Sequence, residues 1–291
     1  MLYSMTGFGR TEEKISEKFF ICELKSLNGK QFDIRLALPP LLKPYEFEIR
    51  NILNKGLERG SVECTISIKQ NGSVKPVEIN NELLKAYYRS VMEVANELNA
   101  GTDHLLSAIL RLPDVVANTT EVLSEEDWQR FKKILEATLQ QINEHRSKEG
   151  KVLENDLLQR IGNIELYEKQ IRELEPARRQ KIKEGLRKVL EDNVGKENYD
   201  VNRLEQELIY YIEKIDISEE QVRLKNHCDY FRTMLNEKDK SKGKKLSFIL
   251  QEIGREINTT GSKAYDSDIQ KIVVLMKDEL EKAKEQVLNV L

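Results

Sequence analysis

Apolar residues alternate with polar ones along the first seventy positions, the period of half-buried strands. In FICELKSLNGKQFDIRLAL, Phe20, Cys22 and Leu24 share one side of an extended chain, and Phe32, Ile34, Leu36 and Leu38 do so again. Asn28-Gly29 lies between the two runs and tolerates positive φ, which predicts a tight hairpin. Pro39-Pro40 ends the second run. Helical spacing follows at Ile49, Ile52, Leu53 and Leu57, and Gly60 stops it. SVECTISIK then sets Val62, Cys64, Ile66 and Ile68 on one face of another strand. The opposite face carries Lys25, Asp33, Arg35 and Lys69, either a solvated surface or a platform for a polar partner.

From about residue 80 the period changes to that of helices. NNELLKAYYRSVMEVANEL reads as one helix, and the segment from Ser124 to Leu174 as one or two very long ones. Ser124-Glu125-Glu126-Asp127 is a good start signal, and Pro176 is expected to separate the next helix, ARRQKIKEGLRKVLEDN. The helices between 124 and 214 are too charged for a compact core, which predicts an extended antiparallel arm packed through narrow stripes. NEKDKSKGKK, 236–245, reads as a flexible basic loop. In the last helix Ile269, Val273, Met276, Leu280, Ala283, Val287 and Val290 make a heptad seam, which suits an intramolecular bundle or a subunit contact equally. The expected fold is α+β: a small N-terminal antiparallel-sheet domain (1–75), a long helical arm region (76–215) and a C-terminal helical domain carrying the candidate site (216–291).

Composition narrows the class. The chain has 291 residues, a third of them charged, and a net charge of only −3, so any anionic partner needs a locally basic surface. Three scattered cysteines without CxxC spacing argue against a disulfide framework or a structural zinc site. The N-terminus lacks the pattern of a signal peptide, and the longest apolar run, IVVLM, is too short to cross a bilayer. A cytoplasmic protein without membrane contact is expected.

Two helices hold the candidate chemistry. In KLSFILQEIGREINT, Glu252 and Glu256 stand one turn apart with Arg255 beside them; acids so spaced can share a divalent cation or act as acid and base. The bland alternative is an ordinary Glu252–Arg255 ion pair on a wet face. GSK at 261–263 is not a Walker A loop, because Gly254 is too far away and the segment leaves a helix rather than a strand. In DISEEQVRLKNHCDYF, Ser218 and Gln221 suggest a capping box, while Glu220, Arg223 and His227 recur on one face, parts that can bind a phosphodiester and move a proton. Cys228 points away from His227, so a Cys–His pair is not expected.

SMTGFGR, ELKSLNGKQFDIRL, LERGSVEC, RSKEG, DISEEQVRLKNH and the block from Gly243 to Leu291 occur in the order that marks one family. Nearly end to end, the chain resembles the YicC/YloC family of bacterial endoribonucleases. The resemblance implies internal cutting of single-stranded RNA with help from Mg²⁺ or Mn²⁺, a link to small RNAs, and ring-like hexamers closing around RNA. Carried onto this chain, it implies His227, Glu220, Glu252 and Glu256 as catalytic residues. Glu252, Glu256 and Glu220 are the expected metal ligands, and Arg146, Arg223, Arg255, Lys263, Lys25 and Arg35 the expected RNA contacts. Gly254 departs from the family pattern and is expected to loosen its helix. A non-catalytic RNA-binding scaffold that delivers RNA to another nuclease is the alternative.

Overall fold

The computed structural model describes residues 2–29, 32–57, 60–70, 78–98, 101–117, 123–194, 201–237 and 241–291. Strands β1 (Gly7–Ile15), β2 (Lys18–Leu27), β3 (Asp33–Ala37) and β4 (Ser61–Gln70) form one sheet in the order β1-β2-β4-β3. β2 is antiparallel to both β1 and β4, whereas β3 is parallel to β4 across helix α1 (Glu46–Gly56). The expected β2–β3 hairpin is therefore absent, because β4 lies between them. β4 matches β2 over ten residues, and β3 offers only five. Asn28 instead donates its side-chain amide to the Leu288 carbonyl at 2.7 Å.

The predicted apolar face is the buried one: Cys22, Leu24, Val62, Cys64 and Ile66 join Ile49 and Leu53 of α1 in a single core. Its lid is the first third of α4 (Glu125–Val194), through Trp128, Phe131, Ile134, Leu135, Leu139 and Ile142. Ser124 starts that helix as expected, accepting from the Asp127 amide at 3.2 Å. Beside the sheet, β5 (Glu78–Ile79) and β6 (Val116–Ala117) pair, and helices α2 (Asn81–Glu97) and α3 (Leu105–Ile109) lie between them in sequence.

α4 runs unbroken for 70 residues, roughly 105 Å at 1.5 Å per residue, and Pro176 lies inside it rather than ending it. A proline here removes a backbone donor and crowds the preceding turn. Neighbouring side chains hold that turn in place. Arg178, only 3% exposed, donates to both Glu175 oxygens (2.8 and 2.9 Å), to the Ile215 carbonyl (2.8 Å) and to the Ala264 carbonyl.

Helices α5 (Val201–Lys214), α6 (Ser218–Asn236), α7 (Gly243–Ala264) and α8 (Ser267–Val287) complete the chain. All seven seam residues of the last segment are buried, in one core with Leu157, Ile161, Ile164 and Ile171 of α4 and the inner faces of α6 and α7. The heptad pattern thus serves the intramolecular bundle. α6 is capped by Asp216 rather than by Ser218, whose amide (3.1 Å) and hydroxyl (2.6 Å) both donate to the Asp216 carboxylate. Of the expected basic loop, 238–240 fall outside the described residues; Lys242 is fully buried and donates to the Leu235 carbonyl at 2.6 Å.

The first and last described residues meet in the middle of the molecule. Ser4 bridges Val290, the Met5 amide donates to the Asn289 carbonyl, and the Leu291 carbonyl accepts from Lys242 and Gly243 at the start of α7. The Leu2 backbone crosses α4 at Gly150, where an added Cβ would stand 2.1 Å from the Leu2 oxygen.

Candidate active site

α6 and α7 form an antiparallel pair joined by a short connection. Their register is fixed by Lys263, whose ammonium bonds Glu220 Oε1 at 2.7 Å and the Asp216 carbonyl at 3.2 Å. Seven residues further along α6 comes His227, and seven residues back along α7 comes Glu256. Each step is two helical turns, so both residues keep the side of their helix that Glu220 and Lys263 occupy, two turns along the pair. His227 is half-buried and Glu256 only 4% exposed. Neither has a hydrogen bond or ion pair to another described residue. A carboxylate so deep is ordinarily paired.

The neighbouring residues of α6 and α7 hold unsatisfied polar atoms. Glu220 Oε2, Gln221 Nε2 and Thr260 Oγ1 are buried without a partner among the described residues. On the outer rim Arg223 pairs with Glu219, and Arg255, 72% exposed, stands 3.9 Å from Glu252. The Glu252–Arg255 contact is the ordinary surface pair that spacing alone suggests. Behind the seam, burial opposes ionisation of Asp216, but hydrogen bonds from the Ser218 hydroxyl and amide, with the Arg179 guanidinium, hold its carboxyl below the usual range. Burial and the Glu165 charge push the Cys228 thiol up to about 12, so it is no nucleophile near neutral pH.

The structure therefore joins Glu220 to Lys263, with His227 and Glu256 two turns further along the same two helices and Arg223, Glu252 and Arg255 on the exposed surface. It does not gather Glu220, Glu252 and Glu256 into a cradle. Among the described residues no group of three or more His, Cys, Asp and Glu side chains is arranged to hold a metal ion. Lys263 occupies Glu220, and Glu252 turns to solvent. The expected metal set does not fit a site within one chain.

The remaining expected RNA contacts lie elsewhere. Arg146 is 2% exposed and clamps α4 to the sheet through Ser26 and the Met5 carbonyl. Lys25 and Arg35 are exposed on the sheet, level with Glu63 of β4 between them. Sequence reading missed Thr260, Asp216 and the Glu175–Arg178–Arg179 group, and took Gln221 for half of a capping box; only the Glu175–Arg178–Arg179 group left a signal, acids and bases at helical spacing next to Pro176. Gly254 is not a loose spot: an added Cβ would meet Leu280 Cδ2 at 3.0 Å, so the glycine lets α7 approach α8 closely.

Among the described residues no helix is long and apolar enough to cross a membrane. Residues 2–155 match the family model described as "Endoribonuclease YicC-like, N-terminal region", and residues 168–291 match "Endoribonuclease YicC-like, C-terminal". A Clostridioides difficile (strain 630) protein named "Probable endoribonuclease YicC" is 35% identical over 298 aligned residues, covering 100% of both chains. A Haemophilus influenzae relative of the same name is 30% identical over 293 aligned residues, covering 99% of each. With both halves matched in order and relatives aligned over their full length, the chain belongs to the YicC-like endoribonuclease family.

Proposed function

We propose that this protein is an endoribonuclease that cuts single-stranded RNA internally at the α6–α7 seam. The observation that carries this reading is that half-buried His227 and buried Glu256 each lie two turns from the Glu220–Lys263 pair on adjoining helices, neither neutralised by a described neighbour. An imidazole is the side chain most often used to take a proton from a hydroxyl in such a step. In the proposed reaction His227 takes the proton of the RNA 2′-hydroxyl, and the 2′-oxygen forms a bond to phosphorus. The P–O5′ bond then breaks, and the leaving O5′ takes a proton from water while the His227 imidazolium returns its proton to solvent. The products carry a 2′,3′-cyclic phosphate and a 5′-hydroxyl.

Glu256 supplies negative charge on the α7 side of the seam, available to the imidazolium as it forms. Arg223 and Arg255 offer guanidinium forks to the phosphate oxygens, and Lys263, fixed by Glu220, adds positive charge behind them. No step above passes through a divalent ion, since the expected ligands do not converge within one chain. Assistance by Mg²⁺ or Mn²⁺ predicts different chemistry, an activated water that leaves a 5′-phosphate. The proposed setting is the cytoplasm, with small RNAs among the targets and a homo-oligomer, a hexamer, as the working form; family membership supports this part.

The test is cleavage of end-labelled single-stranded RNA with and without EDTA, with the product ends mapped. Cyclic phosphate and 5′-hydroxyl ends that persist in EDTA are expected. If Glu252→Gln combined with Glu256→Gln cuts at the wild-type rate, the seam carboxylates are not catalytic. RNA binding without cleavage by rigorously purified protein would establish the scaffold alternative.

A further inference from the structure

The arm that α4 extends beyond the core carries a strongly basic stretch. Between 178 and 188, in RRQKIKEGLRK, six of eleven residues are cationic and Glu184 is the one acid, whereas the whole chain has 47 Lys and Arg against 50 Asp and Glu. Glu184 accepts a hydrogen bond from Gln180. Lys181, Lys183, Arg187 and Lys188 are all exposed. Arg179, Lys183 and Arg187 recur every four residues along one flank of the helix, and Lys181 and Lys188 stand seven apart on another.

This basic segment begins at the seam. Arg179 pairs with Asp216, whose carbonyl accepts from Lys263, and Arg178 bonds the carbonyls of Lys263 and Ala264. From Arg178 to Lys188 the helix then rises roughly 15 Å. Like charges four apart on a helix repel, and a bound polyanion relieves that repulsion. Asp268, at the start of α8, is the acid whose carboxyl Lys181 helps to hold below its usual range, after the larger effect of Lys271.

We infer that the basic face of the α4 arm, Lys181, Lys183, Arg187 and Lys188, is a binding surface for the phosphate backbone of single-stranded RNA, leading the strand to or from the α6–α7 seam. This rests on the proposed ribonuclease reading for the identity of the anion. The contacts are to phosphates, so the surface adds affinity and positioning without base preference.

The test is a triple variant, Lys181→Gln with Lys183→Gln and Lys188→Gln, on an exposed helix face where glutamine keeps helix propensity. Binding of a long fluorescent single-stranded RNA is measured by anisotropy over a salt series, beside the matching Lys→Arg triple variant and alongside cleavage assays. The glutamine variant is expected to bind about tenfold more weakly near 0.1 M salt, with a salt slope shallower by about 2, the release expected from three phosphate contacts. The arginine variant is expected to keep wild-type affinity and slope. Unchanged affinity and slope in the glutamine variant would overturn the inference, as would weaker binding at an unchanged slope. Loss of binding with a shallower slope, in a wild-type protein that does not cut RNA, would uphold the surface and sink the nuclease reading instead.

Discussion

Lys263 neutralises Glu220 at 2.7 Å in a place where the carboxylate is only 5% exposed. Truncation to Lys263→Ala strands that carboxylate, because its other oxygen already lacks a partner. We expect a loss of roughly 1–3 kcal/mol in chemical denaturation, partly recovered when Glu220→Gln is added. An unchanged midpoint in the single variant would show that the pair stabilises nothing. Glu279 makes a second residue-scale case. Burial works against its charge, but hydrogen bonds from Asn163, Arg160 and Lys282 outweigh it and hold the carboxyl below its ordinary 4.5. A depressed folded value means the stabilisation is complete above the unfolded value and disappears as pH falls through the folded one. Wild type should therefore exceed Glu279→Gln in urea midpoint at pH 7, and the gap should close toward pH 3. A gap that widens on acidification would contradict the sign.

At the scale of elements, close backbone approach explains two glycines that composition alone cannot interpret. Gly150→Ala places a methyl 2.1 Å from the Leu2 oxygen, and backbone cannot yield as a flexible side chain does. We expect several degrees of lost thermal stability and faster amide exchange at Ser4, Met5 and Leu291, whose amides donate to the carbonyls of Arg146, Asn289 and Tyr3. Gly254→Ala meets only the tip of Leu280, and the added helix propensity opposes the contact, so its midpoint should stay within about 1 kcal/mol of wild type. Gly254→Leu should cost roughly 1–3 kcal/mol by overpacking α7 against α8. Equal stability of the two variants would mean that the helices are not closely packed there. Strand existence, the long helix and the final heptad were legible because each rests on a local period. The β2–β4 pairing was not, since the choice between a five-residue and a ten-residue partner is made across the sheet. The continuity of α4 through Pro176 was equally hidden, because it depends on Arg178 reaching the 215 and 264 carbonyls, both distant in sequence.

For the whole molecule, one helix unites the two cores. The first third of α4 closes the sheet, its middle third packs under α6, α7 and α8, and its last third leaves as the basic arm. The candidate site was partly legible: His227, Glu220 and Glu256 were named from spacing and resemblance. The Glu220–Lys263 pair that ties these two helices depends on the antiparallel register of α6 and α7, which no single segment encodes. Arg146 looked like an anion contact for the same reason, its burial against Ser26 being a property of the assembled fold. The central claim, that this seam cuts RNA, is tested most directly by internal cleavage of an end-labelled single-stranded RNA by wild type and His227→Ala at equal RNA occupancy. The account predicts that His227→Ala binds RNA normally and cleaves roughly 10²–10⁴-fold more slowly. Cleavage by His227→Ala at the wild-type rate would contradict it.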